Sequence, residues 1–238
     1  MSFFYHTFFF DPLYNILILL FTLSPWADAG IIVILLTILV RLAMFPLSRK
    51  AVLTQVKMAE IAPDLAKIKE KYKNNTEEQA KQTMTLYREK KVNPFSSIFV
   101  IIIQIPIILA LYQIFLHLPE VNPEFLYSFV TAPEHINTMF LGLMDITTKS
   151  IILALLAAGS TFFQFKVSMK GQVPHKGDSF SDNLTRSMQT QMKYFFPVIV
   201  FFISYSISGV IALYWLVSNL FSIGQEIFVR RKLKSTQV

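Results

Sequence analysis

Arg41 is a lone cation inside an otherwise uncharged run, Gly30–Leu47. A guanidinium in apolar surroundings is costly to bury and keeps its proton, so the chemistry open to it is recognition of an anion. Thr37 lies one turn earlier, at i−4 on the same helix face. Polar side chains recur in the other apolar runs. Gln104 and Gln113 lie between Phe95 and Leu118, Ser160 and Gln164 (i, i+4) between Ile151 and Val167, and Trp215, Asn219, Ser222 and Glu226 follow at +4, +3, +4 in the last run. Each polar group in hydrocarbon costs free energy unless it is paired or wetted. Stripes on several helices therefore point to a shared polar cavity inside a bundle. Two plainer readings compete. Arg41 would snorkel toward the basic segment beginning at Arg49, about 12 Å away along a helix, and the other stripes would serve as polar contacts between helices.

Covalent chemistry finds little purchase. His6, His117, His135 and His175 show no metal-ligand spacing, and there is no Gly-rich phosphate or dinucleotide loop. Ser206-Ile207-Ser208-Gly209 resembles the serine motif of an intramembrane protease, but lacks the leading glycine and any downstream histidine to act as base. With no cysteine, thiol nucleophiles, thiolate metal sites and disulfides are excluded. No cofactor is expected.

The elements that must position these residues are set by composition. Of 238 residues, 53% are hydrophobic and only 16% charged, and the mean hydropathy is +0.49. A soluble core of this length cannot bury such an excess, so the fold class is an all-α membrane protein. Five transmembrane helices are expected at 30–48, 93–118, 150–167, 193–207 and 208–229. The last apolar stretch, Tyr194–Val229, is too long for one crossing, and Ser204–Gly209 is where it would turn. Segment 1–29 would hold an interfacial amphipathic helix, Leu13–Leu23, too short to span. Segment 119–149 is an extracytoplasmic loop, 168–192 a cytosolic loop, and 230–238 a basic cytosolic tail. The third and fourth spans are short against a hydrocarbon core of about 30 Å, which favours local thinning of the bilayer.

The net charge of +7 orients these spans. Eleven Lys/Arg lie between Arg49 and Lys91, five more between Lys166 and Lys193, and four in the tail, against Lys149 alone on the opposite side. By the positive-inside rule the N-terminus is outside and the C-terminus inside. Segment 49–92 has the spacing of a helical hairpin. Ile61, Leu65, Ile68 and Tyr72 mark one arm, Asn74-Asn75 the break, Thr76-x-x-Gln79 a capping box, and Ala80, Met84 and Tyr87 the second arm. Pro63 should bend the first arm, and Asn93-Pro94 should start the second span. The basic face would contact lipid headgroups or a protein.

Several motifs stand together in one order. They are P-L-Y-N at Pro12–Asn15, T-I-L-V-R-L-A-M-F-P-L at Thr37–Leu47, Leu86-Tyr87 followed by K-V-N-P at Lys91–Pro94, Q-I-P-I at Gln104–Ile107, A-L-Y at Ala110–Tyr112 and L-Y-W-L-V-S-N-L at Leu213–Leu220. In these the chain resembles the YidC/Oxa/Alb membrane protein insertases, in the short form without a large periplasmic domain. The resemblance implies a five-helix bundle in a bacterial plasma membrane. Its hydrophilic groove would open to cytosol and lipid and be sealed outside. Arg41 would be the groove arginine, with Thr37, Gln164 and the aromatic Trp215 beside it, and Gln104, Asn219 and Ser222 complete the expected lining. It further implies a substrate-recruiting hairpin and insertion without nucleotide, metal or covalent chemistry. The partners would be nascent membrane proteins and the bilayer, with the ribosome and a Sec translocon, and no specific nucleic-acid sequence. Beside some relatives, neither an N-terminal span with a large outer domain, nor a lipidated cysteine, nor a long basic tail is expected for this chain. A small channel or lipid scramblase using the same groove is the alternative; the apolar outer halves of the spans (Ile31–Leu36, Ile107–Leu111, Val198–Phe202) argue against a through pore.

Overall fold

The computed structural model describes residues 3–93, 96–169 and 180–236. Eight helices carry them: α1 Phe3–Leu23, α2 Ala29–Ala43, α3 Phe45–Lys71, α4 Thr76–Glu89, α5 Ser96–Leu116, α6 Ile151–Ser168, α7 Phe180–Ile207 and α8 Gly209–Thr236. By length and composition α1, α6 and the Gly209–Leu233 part of α8 can each cross a membrane, and the bent pair α2–α3 makes a fourth candidate. Residues Ile102–Leu116 of α5 form a shorter apolar helix. Large apolar side chains point outward on every one of these, among them Leu39, Ile105, Leu155, Phe202 and Leu220. A helix that is apolar all round needs apolar surroundings on its outer face too, which only lipid supplies.

α1 is longer than the Leu13–Leu23 helix expected. Its first turns, with a π-helical stretch at His6–Phe10, extend it to 21 residues. The Asp11 N–H reaches back five residues to the His6 carbonyl. That wider register leaves room for the Pro12 ring, which in a regular helix presses on the carbonyl four residues back.

α2 ends where Pro46 removes a backbone donor, and the chain bends by 61° into α3 at Met44. Arg41 is thus in the last turn of α2, not mid-way along a span that runs to residue 48. A helix C-terminus favours a cation, which lowers the cost of holding one there. α3 runs on through Pro63 without a break. Pro63 faces solvent, where the carbonyl it leaves unbonded can turn to water.

α3 and α4 pack antiparallel. Asn75, not Thr76, caps α4, its side chain accepting the Glu78 N–H at 3.0 Å. Gln79 instead reaches across to the Lys69 carbonyl at 3.1 Å. Buried Ile61 and Leu86 mark the seam, while Ala80 and Met84 of the expected inner face are exposed. Pro94 of the expected start signal, and Lys170 and Lys176 of the polar loop, lie outside the described residues. The second half of the expected 168–192 loop is helical, as α7 begins at Phe180.

At the other end, the 119–149 segment forms a lid over the helix starts. It carries a two-stranded antiparallel hairpin, β1 Met139–Phe140 and β2 Met144–Asp145. Asp28 caps α2 through the Ile31 N–H (3.0 Å) and with its other oxygen accepts the Leu141 N–H (2.9 Å). The Gly209 and Val210 amides donate to the Thr148 and Ile146 carbonyls, both at 2.8 Å. Gly30 has no Cβ because the Phe140 ring occupies that space. Burial pushes the Asp145 carboxyl up, but donors from Thr147 and Thr138 outweigh it and hold the group below its ordinary value.

Candidate functional site

α8 carries polar side chains on two faces, and they do different things. Tyr214, Ser218 and Gln225 point toward α2, α3 and α5, whereas Asn219 and Glu226 point toward α6 and its end. The first face receives Arg41. Its Nε donates to the Ser218 hydroxyl at 2.8 Å, and an Nη donates to the same oxygen. Ser218 also hydrogen-bonds the buried Tyr214 phenol. Gln104 of α5 donates through Nε2 to that phenol oxygen at 3.2 Å. The result is one chain of contacts across three helices: Arg41, Ser218, Tyr214, Gln104. The Gln104 Oε1 is buried and accepts no hydrogen bond among the described residues.

Arg41 has no carboxylate partner among the described residues. Arg230, about three turns beyond Ser218 on α8, is its opposite. It pairs with buried Glu226 at 2.8 Å and also bonds Gln55 of α3 and the Ser168 carbonyl of α6. Gln55 in turn donates to the Ser168 hydroxyl. This clasp joins α3 and α8 to the end of α6 and leaves its arginine neutralised. Between the two arginines, Gln225 donates to Ser48 at 2.6 Å. Beside it lies an apolar cavity of about 310 Å³ lined by Phe45, Phe221, Gly224, Gln225 and Phe228.

The remaining expected lining residues divide. Thr37 is buried, but its hydroxyl donates to the Val33 carbonyl of its own helix at 2.6 Å. Asn219 is buried and donates to Ser160 (3.0 Å) and Thr161 (2.7 Å), so it joins α8 to α6. This is the interhelical contact that competed with the cavity reading, and at Asn219 it prevails. Ser222 returns its hydroxyl to the Ser218 carbonyl. Trp215 is half-buried against the core, and Gln164 is half-buried on α6. Gln113 accepts from the Tyr5 hydroxyl of α1 at 3.0 Å. Tyr214 and Ser218 were not among the expected residues. Their i, i+4 spacing, continued at +7 by Gln225, is the signal for them, and it is weaker than that of the more polar neighbouring stripe through Trp215 and Asn219.

These groups sit in a chain whose residues 20–236 match the model of the 60Kd inner membrane protein family. The chain belongs to that family. Among its relatives, a protein named Membrane protein insertase YidC from Clostridium tetani (strain Massachusetts / E88) is 26% identical over 208 residues, covering 87% of this chain and 84% of that one. Its namesake from Clostridium perfringens (strain 13 / Type A) is 32% identical over 206 residues, 84% of this chain and 77% of the relative. The one from Pelobacter propionicus is 30% identical over 90% of this chain but only 38% of its own longer length. Within the 60Kd inner membrane protein family, the apolar helices make this chain a multi-pass membrane protein of the bacterial inner membrane.

Proposed function

We propose that this chain is a membrane protein insertase whose working surface is the polar path from Arg41 through Ser218 and Tyr214 to Gln104. Insertase is the activity its relatives' names carry. The observation that carries the polar path is that Arg41, held by a serine, has no carboxylate partner among the described residues, whereas Arg230 has a glutamate. A cation kept without a counter-ion near apolar surroundings is poised for an anion that arrives with the substrate.

In this reading a hydrophobic substrate segment first meets the α3–α4 hairpin. Its short polar flank enters beside Arg41, which offsets the desolvation of an acidic residue. The apolar segment then passes into lipid along α6 and α8, drawn by burial of its own surface. No bond is made or broken. Five spans with the N-terminus outside and the C-terminus inside fit the charge asymmetry, twenty Lys/Arg against one. The two sides are then a cytosol-facing hairpin and an outer lid. α1 is read as lying along the outer surface. Its Asn15 bonds Phe125 and Tyr127 of the lid segment, and its Thr22, two turns on, bonds Thr131 of the same segment.

A channel or scramblase would need the path to continue to the outer face. Against that stand the lid's bonds to the starts of α2 and α8 and the buried apolar layer of Ile32, Leu36, Leu111 and Val210 below it. Insertion of an acidic-tailed single-span substrate into proteoliposomes tests the proposal. Arg41→Ala is expected to lower it about tenfold, equivalent to offsetting about half of one carboxylate's insertion cost. Undiminished insertion would remove the electrostatic role, and ion flux without substrate would favour the channel.

A further inference from the structure

A second cavity, of about 590 Å³, opens between α6 and α7 at the hairpin end of the bundle. It shares no residue with the polar path. Phe163, Lys166, Val167 and Met169 line it from α6 and the residue that ends it, and Lys193 from α7. Lys166 lies in the last turn of α6. Lys193 is half-buried, its Nζ over the Tyr194 ring at 4.9 Å. Neither lysine has an ion-pair partner among the described residues. The rest of the lining is apolar, and Phe163, Tyr194 and Phe195 stand outward beside it. The outward side chains of α6 and of α7 beyond Lys193 include Leu155, Leu156, Val198 and Phe202, so the cavity lies where the apolar part of α7 begins.

Two unpaired ammonium groups from different helices, above an apolar slot, match one kind of molecule. A phosphodiester sits between the cations while an acyl chain lies over Phe163 and Val167. A free phosphate gains nothing from the apolar wall, and a zwitterionic lipid brings a cation of its own to a site that already holds two. We propose that this cavity binds an anionic phospholipid of the leaflet on the hairpin side.

The test uses the full chain in bilayer nanodiscs of phosphatidylglycerol and phosphatidylcholine, with retained lipid counted by native mass spectrometry. The wild-type chain is expected to retain phosphatidylglycerol selectively. The double variant Lys166→Gln/Lys193→Gln should weaken that retention about thirtyfold, the loss of two charge contacts at the membrane surface. Lys166→Arg/Lys193→Arg should restore it, and Phe163→Gln should weaken it while sparing both charges. Lys149→Gln, which removes a lysine from the lid segment, should leave it unchanged. Equal retention by Lys166→Gln/Lys193→Gln, an equal fall in Lys149→Gln, or displacement of the lipid by excess inorganic phosphate would each overturn the proposal.

Discussion

Ser218 gives Arg41 two hydrogen bonds and no charge, and that asymmetry makes the serine a positioning residue. Ser218→Ala should keep the arginine but free its head, so insertion of an acidic-tailed substrate should fall less than for Arg41→Ala, while a neutral-tailed substrate is inserted as before. Asn219 predicts a contrasting pattern. Asn219→Ala breaks two bonds between α8 and α6, each worth about 0.6–2 kcal/mol in a membrane protein. Thermal unfolding in detergent should shift down accordingly, with the acidic-to-neutral insertion ratio untouched. Arg41 was legible in the sequence because a charge in an apolar run has few explanations. Tyr214 and Ser218 were not, because which of two adjacent polar stripes faces the arginine depends on how α8 is rotated, and rotation is set by tertiary packing. The hydroxyls of Thr37 and Ser222 bond the i−4 carbonyls of their own helices, a local choice that spacing along the sequence does not reveal.

Among the elements, the bend at Met44 matters most to the site, because it turns a mid-span arginine into a helix-terminal one. Pro46 announces it in the sequence, yet continuous apolar character through Leu47 hides it. Pro63 shows the reverse, a helix breaker without a break, since an exposed site loses little when one carbonyl turns to water. The cap at Asn75 was displaced by one residue because Asn and Thr compete for that role and Gln79 is engaged by the other arm. The lid was invisible as structure: its hairpin is two residues per strand and has no periodicity to read. Its attachment is testable. Asp28→Ala removes both the α2 cap and the Leu141 bond and should cost about 1–3 kcal/mol of stability. Protease added from the outer side should cut the 119–149 segment faster in that variant than in the wild type.

At the scale of the whole molecule, the proposed orientation puts the hairpin and the lid on opposite sides of the membrane. The absence of cysteine allows a direct check. With Thr131→Cys and Lys73→Cys made separately, an impermeant maleimide applied to intact cells should label the first and not the second. Labelling of Lys73→Cys from outside would reverse the orientation. Apolar composition and charge asymmetry made the class of this protein plain from its sequence, whereas the hydrogen-bond partners of Arg41 depend on a packing of the bundle that the sequence does not spell out. The central claim is that Arg41 acts on the charge of the substrate. Its most direct measurement is a double-mutant cycle in proteoliposomes, pairing Arg41 or Arg41→Ala with a substrate flank carrying Asp or Asn. Arg41→Ala should slow the Asp substrate about tenfold and the Asn substrate hardly at all, a coupling of about 1.4 kcal/mol. Equal slowing of both substrates, or of neither, would contradict it.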